Sequence, residues 1–142
     1  MIRYPNFLKR PFFRFHVPVI FLAAVIFIFS SIPKLTPPNL GFELQDKFYH
    51  FLVYTAFGYL VARSFFSLKF SDKFHKYYLV FAILFSTIYG LSDEIHQSYV
   101  PGRFSSIGDF IADSSGSAVG ALIFHYRQGI KLFLTKYVLL KK

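Results

Sequence analysis

The sequence predicts an all-α membrane protein: a polytopic bundle of four transmembrane helices with both termini in the cytoplasm. Hydrophobic residues make up 54% of the 142 positions and charged residues only 16%, whereas a soluble domain carries about 25% charged residues. The apolar residues lie in four blocks, and each approaches the ~20 residues that cross the hydrocarbon core of a bilayer. These observations, together with the charge distribution described below, predict a multi-pass protein of the cytoplasmic (inner) membrane.

The first block follows a basic lead, residues 1–16, which we expect in the cytoplasm. Residues 17–32 are almost entirely apolar, and Pro33 is expected to end their helix. A basic lead before an apolar core also fits a secretory signal peptide. Because no clear small-x-small cleavage site follows, we interpret this block as the first membrane helix.

The other blocks predict three further helices, near residues 46–68, 76–100 and 107–126. A proline-rich loop over residues 33–45 precedes the second helix. Residues 127–142 mix basic and apolar residues and predict an amphipathic cytoplasmic tail. The chain therefore divides into a lead (1–16), a membrane domain (17–126) and a tail (127–142).

The charged residues support this layout independently. In the predicted topology, 13 of the 16 Lys and Arg residues lie on the cytoplasmic side, with the lead and the tail. The exceptions are Lys34, Lys47 and Arg103. Cytoplasmic loops of membrane proteins carry this excess of Lys and Arg. Of the seven acids, only Asp72 lies on that side. The net charge of +9 is thus explained by topology, and no nucleic-acid partner is expected, because no separate basic domain exists.

No established catalytic signature is present. The chain has no cysteine, which excludes disulfides, thiolate nucleophiles and cysteine-bound zinc. It also lacks a phosphate-binding glycine loop, a nucleophile elbow and a His-Glu-x-x-His helix.

The second helix carries Asp46, His50 and Tyr54 at a spacing of i, i+4 and i+8, which places them on one face. Asp46 suits the helix N-terminus, where the macrodipole favours an acid, so it is either a cap or a site residue. His50 is either a hydrogen-bonded structural group or a proton-transfer group, since its ordinary pKa suits that role.

The third helix ends with two adjacent acids, Asp93 and Glu94, followed by Gln97. Adjacent carboxylates repel each other and call for a cation, a metal or a shared proton. Arg103 follows a Pro-Gly turn that can fold it back over the acids. It is expected either to pair with a carboxylate or to bind an anionic group such as a phosphate.

The fourth helix opens with Ser106-x-x-Asp109, the pattern of a capping box. Asp113 lies one turn further in. Ala112, Gly116 and Gly120 form a ridge of small residues, which in membranes allows helices to approach closely. Binding of a divalent metal by His50 with Asp93, Glu94, Asp109 or Asp113 is chemically feasible, although the spacing does not require it and no cofactor is otherwise expected.

These motifs resemble the VanZ-like family of small membrane proteins over residues 33 to about 125. The resemblance lies in Asp46-Lys47-x-x-His50-Phe51-x-x-Tyr54, Asp93-Glu94-x-x-Gln97, Pro101-Gly102-Arg103 and Asp109-x-x-x-Asp113-x-x-Gly116-x-x-x-Gly120. It implies a shared polar site and a link to glycopeptide (teicoplanin-type) resistance, but no reaction. The family usually has Asn where this chain has Asp113, and the extra acid favours a bound cation or a protonated carboxyl group.

Two functional hypotheses follow. In the first, an outward-facing site binds or processes a cell-envelope lipid or precursor. Its acid/base candidates are His50, Glu94, Asp93 and Asp109. Its binding candidates are Arg103, Asp46, Lys47, Tyr54, Gln97 and Asp113. In the second, the protein is a non-catalytic scaffold, a partner subunit or a small transporter, and the polar residues only close a hydrogen-bond network.

Overall fold

The computed structural model describes residues 11–35, 38–68 and 71–140, with side chains up to Thr135. All regular structure in these ranges is helical, which confirms the all-α prediction. The helices are α1 (Pro11–Phe15), α2 (Val17–Ser30), α3 (Gln45–Ser67), α4 (Asp72–Ser98) and α5 (Ile107–Leu140).

The helix boundaries agree with the predicted ones most closely at α3. The helix α4 begins at Asp72 rather than near Lys76, because Ser71 caps it. The Ser71 side-chain oxygen accepts a hydrogen bond of 3.1 Å from the backbone N–H of Phe74. This cap satisfies a helix-terminal donor and brings the polar residues before Lys76 into the first turn.

The predicted end of the fourth helix near Tyr126 is wrong, because α5 continues to Leu140. No proline follows Tyr126, and a single glycine, Gly129, costs a helix only about 1 kcal/mol. Most of the predicted tail is therefore part of α5, and residues 141–142 lie outside the described residues.

Part of the predicted lead and part of the charge distribution also lie outside the described residues. Residues 11–15 of the lead form α1, whereas residues 1–10 are not described. The same holds for the side chains of Arg3, Lys9, Arg10, Lys69, Lys136, Lys141 and Lys142.

The tightest helix pair is α3 with α5, as the ridge of small residues predicts. A Cβ atom at Gly116 would collide with the backbone of Phe51, and one at Gly120 would collide with the backbone of Thr55. In the other direction, a Cβ atom at Gly58 would strike the backbone of Ser117. These contacts confirm that Gly116 and Gly120 are packing residues.

The outer surface of the bundle is apolar. Phe21, Ile88 and Phe133 are exposed to 67%, 65% and 69%, which is unfavourable in water and favourable in lipid. Among the described residues, α4 and the part of α5 up to Thr135 are long and apolar enough to cross a membrane, whereas α2 has 14 residues. These features indicate a membrane protein, and the four-span topology stays a prediction.

The contacts between helix termini place most of the described acids at one end of the bundle. His50 near the start of α3 meets Asp113 near the start of α5, at 3.0 Å. Ser31, just after α2, meets His96 near the end of α4, at 2.9 Å. We call this the polar end. At the opposite end, Arg127 donates a hydrogen bond to Tyr59.

Candidate functional site

His50 lies at the centre of the polar end, between two carboxylates from different helices. Its Nδ1 atom lies 3.0 Å from Oδ1 of Asp113 on α5 and 3.9 Å from Oε1 of Glu94 on α4. The side chain of His50 is 15% exposed, that of Glu94 7% and that of Asp113 0%. We call these three residues the carboxylate–histidine group.

Glycines bring Asp113 to this position. Gly116 lets α5 approach α3, and Gly90 keeps the facing surface of α4 free of a side chain. A Cβ atom at Gly90 would lie 3.1 Å from Cβ of Asp113 and 3.2 Å from the ring of Tyr54. Larger residues on these faces would therefore push Asp113 away from α4.

Glu94 is fixed by the start of α5. Its Oε2 atom accepts a hydrogen bond of 2.9 Å from the backbone N–H of Ser106. The Ser106 hydroxyl oxygen accepts from the backbone N–H of Asp109 at 3.0 Å and its hydroxyl donates to Oδ2 of Asp109 at 2.6 Å. The predicted capping box is therefore half formed within α5, and Glu94 of α4 serves as the second acceptor.

Asp109 also carries an ion pair, since Nζ of Lys47 lies 3.2 Å from its Oδ1 atom. Asp93 instead accepts a hydrogen bond of 3.0 Å from the side-chain amide of Gln97, one turn later on α4. The same amide lies 3.4 Å from the hydroxyl oxygen of Ser30 on α2. The adjacent acids Asp93 and Glu94 thus face different partners, which separates their charges.

Arg103 makes no ion pair with a carboxylate of the described residues, so the predicted pairing with an acid does not occur there. The turn at Gly102, which has a φ of +77°, brings the side chain back over the bundle. One terminal nitrogen, Nη1, donates to the backbone carbonyl of Leu35 at 3.1 Å. The Nε atom is buried and has no hydrogen-bond partner among the described residues.

A cavity of about 390 Å³ opens between α2, α3 and the end of α4. Its polar lining is Ser30, Asp46, Tyr49, His50, Tyr54, Asp93, Gln97 and Arg103, and its apolar lining is Leu22, Val25, Ile26, Phe29, Leu35, Pro38 and Val53. One cavity thus combines acids, an imidazole and a guanidinium with a hydrocarbon wall.

The cavity divides the predicted site residues into two sets. Asp46, His50, Tyr54, Asp93, Gln97 and Arg103 belong to its lining. Lys47, Glu94, Asp109 and Asp113 do not, and they lie behind His50 or at the start of α5. Sequence reasoning missed the wall that α2 supplies. Ser30, a polar residue in an otherwise apolar helix, was the available signal.

Among the side chains that the structure describes, two sets have ligand atoms within 4.8 Å of one another, close enough to hold a metal ion. One is the carboxylate–histidine group, and the other is Asp46, His50 and Asp109. Both include His50, so a single imidazole would serve either site.

Comparison with known proteins identifies a family. The model of the VanZ/LLP1 family matches residues 12–132 of the chain. Neither a curated protein nor a solved structure matches it significantly.

Proposed function

The chain belongs to the VanZ/LLP1 family, and we propose that its cavity binds an amphiphile with an anionic head group, such as a cell-envelope lipid or precursor. The observation that carries this proposal is the lining of the cavity, which combines Arg103 with an apolar wall from α2. Ligand cavities are typically about 300–1,000 Å³ and mostly apolar, with a few placed polar groups.

Arg103 supplies the anion-binding group. A guanidinium has five N–H donors and binds phosphate or carboxylate with two parallel hydrogen bonds. Here Nη1 contacts a carbonyl oxygen and no carboxylate of the described residues neutralises the charge. An anionic head group would use the remaining donors.

Asp46 and Asp93 determine which other polar groups the head group should carry. Two acids in the same cavity would repel a purely anionic ligand, but they accept hydrogen bonds from hydroxyl or ammonium groups. The preferred ligand therefore combines an anion near Arg103 with donors near Asp93. The apolar residues Leu22 and Phe29 would contact the start of its hydrocarbon chain.

His50 is the lining group best suited to proton transfer. Asp113 holds its Nδ1 atom, so the ring orientation is fixed and Nε2 remains for the cavity. Glu94 and Asp113, which lie outside the cavity lining, would position His50 rather than touch the ligand. Processing of a bound head group would accordingly depend on His50 and Asp93.

The charge distribution supports a cavity that faces outward. Arg14, Arg63 and Arg127 belong to the opposite end of the bundle, and Lys and Arg favour the cytoplasmic side. A site on the outer face would meet envelope lipids and precursors, and this would account for the link to glycopeptide resistance that the family resemblance implies.

The proposal is tested by native mass spectrometry of the purified protein with short-chain phosphatidylglycerol, which has an anionic phosphate and hydroxyl groups, and with phosphatidylcholine. We expect phosphatidylglycerol to bind more tightly. Arg103→Gln should weaken its binding about ten- to hundredfold, since hydrogen bonds to charged groups contribute about 1.5–3 kcal/mol. The matched control is Arg127→Gln, which removes an arginine at the opposite end.

Equal binding of phosphatidylglycerol by the two variants would contradict the role of Arg103. A lack of saturable lipid binding by the unmodified protein would favour the alternative of a non-catalytic scaffold, a partner subunit or a small transporter.

A further inference from the structure

We propose that the carboxylate–histidine group, formed by His50, Glu94 and Asp113, binds one divalent transition-metal ion of the Zn²⁺ or Mn²⁺ type. The site lies behind His50 rather than in the amphiphile cavity, and the proposal does not depend on lipid binding. It depends on ligand geometry, on unpartnered buried oxygens and on an unbalanced charge.

The ligand atoms already have metal-site spacing. Nδ1 of His50 lies 3.0 Å from Oδ1 of Asp113 and 3.9 Å from Oε1 of Glu94, and all three atoms lie within 4.8 Å of one another. Zinc binds nitrogen and oxygen ligands at about 2.0–2.2 Å, which separates neighbouring ligands by roughly 3.0–3.5 Å. Small side-chain movements would therefore complete the site.

Two carboxylate oxygens in this group have no hydrogen-bond partner among the described residues. They are Oε1 of Glu94 and Oδ2 of Asp113. Counted as whole residues, Glu94 is 5% exposed and Asp113 is 0% exposed. A buried polar atom without a hydrogen-bond partner is costly. Ser106 holds the other oxygen of Glu94, so Oε1 points toward His50.

A cation would balance the charges of the group when both carboxylates are ionised. Two carboxylates face one imidazole, and no Lys or Arg of the described residues pairs with either acid. Even a protonated His50 would leave one net negative charge in a buried site. A divalent ion with neutral His50 and two carboxylates gives a net charge of zero. One imidazole with carboxylates suits zinc or manganese.

The alternative set of Asp46, His50 and Asp109 is less suitable. Lys47 and the Ser106 hydroxyl already occupy the two oxygens of Asp109, at 3.2 and 2.6 Å. Asp46 is exposed and would hold an ion only in competition with solvent. The unpartnered oxygens of Glu94 and Asp113 therefore favour the inner set.

Metal binding would also determine which ring nitrogen of His50 carries the proton. A metal on Nδ1 replaces the hydrogen bond to Asp113 and leaves a proton on Nε2. His50 would then present the N–H group of Nε2 to the cavity, with its ring held by the ion.

The experiment measures binding of Mn²⁺ to detergent-purified, chelator-treated protein without added lipid, with Zn²⁺ and Mg²⁺ as competitors. We expect one Mn²⁺ ion per chain. Zn²⁺ should displace it, and the same concentration of Mg²⁺ should not. Asp113→Asn and Glu94→Gln should each weaken binding at least tenfold. The distant Asp72→Asn is the control and should bind as the unmodified protein does, whereas Asp109→Asn, which tests the alternative set, should weaken binding less than Asp113→Asn does.

A second measurement does not need a variant. Pulsed electron paramagnetic resonance of the Mn²⁺-loaded protein should show coupling to the nitrogen of one imidazole. The proposal would be overturned if neither Mn²⁺ nor Zn²⁺ bound saturably, or if bound Mn²⁺ showed no coupling to nitrogen. Weakening by Asp109→Asn as large as that by Asp113→Asn would also overturn the assignment to the inner set.

Discussion

Replacing Gly120 by alanine should separate the two helices that hold the site. A Cβ atom at this position would lie 2.8 Å from both the carbonyl carbon of Thr55 and the backbone nitrogen of Tyr59, and closer still to the carbonyl oxygen of Thr55. Ordinary contact begins at 3.4 Å, so α3 and α5 would have to move apart by at least 0.6 Å. The obstructing atoms belong to backbone and cannot rotate away.

The expected cost follows from the cost of overpacking a core, about 1–3 kcal/mol. Gly129→Ala is the matched control, because nothing lies within 4 Å of a Cβ atom there. In an exposed helix position, alanine is more favourable than glycine by about 0.8–1.0 kcal/mol. The same chemical change should therefore destabilise the protein at Gly120 and stabilise it slightly at Gly129.

The assay is an SDS titration in mixed micelles, followed by near-ultraviolet circular dichroism of the ten tyrosines, since the chain has no tryptophan. Gly120→Ala should lower the SDS midpoint and Gly129→Ala should raise it. Equal midpoints for the two variants would refute the close approach of α3 and α5.

Three smaller perturbations use the same titration. Ser106→Ala removes the cap that bonds Asp109, and should cost about 1 kcal/mol; an unchanged midpoint would show that the cap does not form. Tyr78→Phe removes a hydrogen bond of 2.8 Å to His125 and should cost about 1 kcal/mol; a rise in the midpoint would contradict this. Ser71→Ala removes the cap of α4, and we expect a similar loss.

The sequence predicts the main features of the polar end because helical spacing and charge are local properties. The spacing of Asp46, His50 and Tyr54 places them on one face of α3, and all three line the cavity. The small residues at 116 and 120 predict close packing, which the structure confirms.

The remaining features depend on contacts between helices, which spacing alone does not reveal. Glu94 and Asp93 are adjacent in sequence, yet Glu94 turns to Ser106 and Asp93 turns to Gln97. Which of these two adjacent acids lines the cavity could not be predicted without knowing these partners. Likewise, α2 is apolar except for Ser30 at its end, so its spacing gives little sign of which face forms the cavity wall.

The proposed function requires that the cavity opens outward and holds an anionic amphiphile. The chain has no cysteine, so a single Tyr49→Cys substitution in the cavity lining can be labelled in intact cells with a membrane-impermeant thiol reagent. Lys73→Cys near the start of α4 is the control. We predict that position 49 is labelled from outside and protected by short-chain phosphatidylglycerol, whereas position 73 is labelled only in permeabilised cells. Labelling of position 49 only after permeabilisation would contradict the outward-facing cavity, and a lack of protection by the lipid would contradict the proposed ligand.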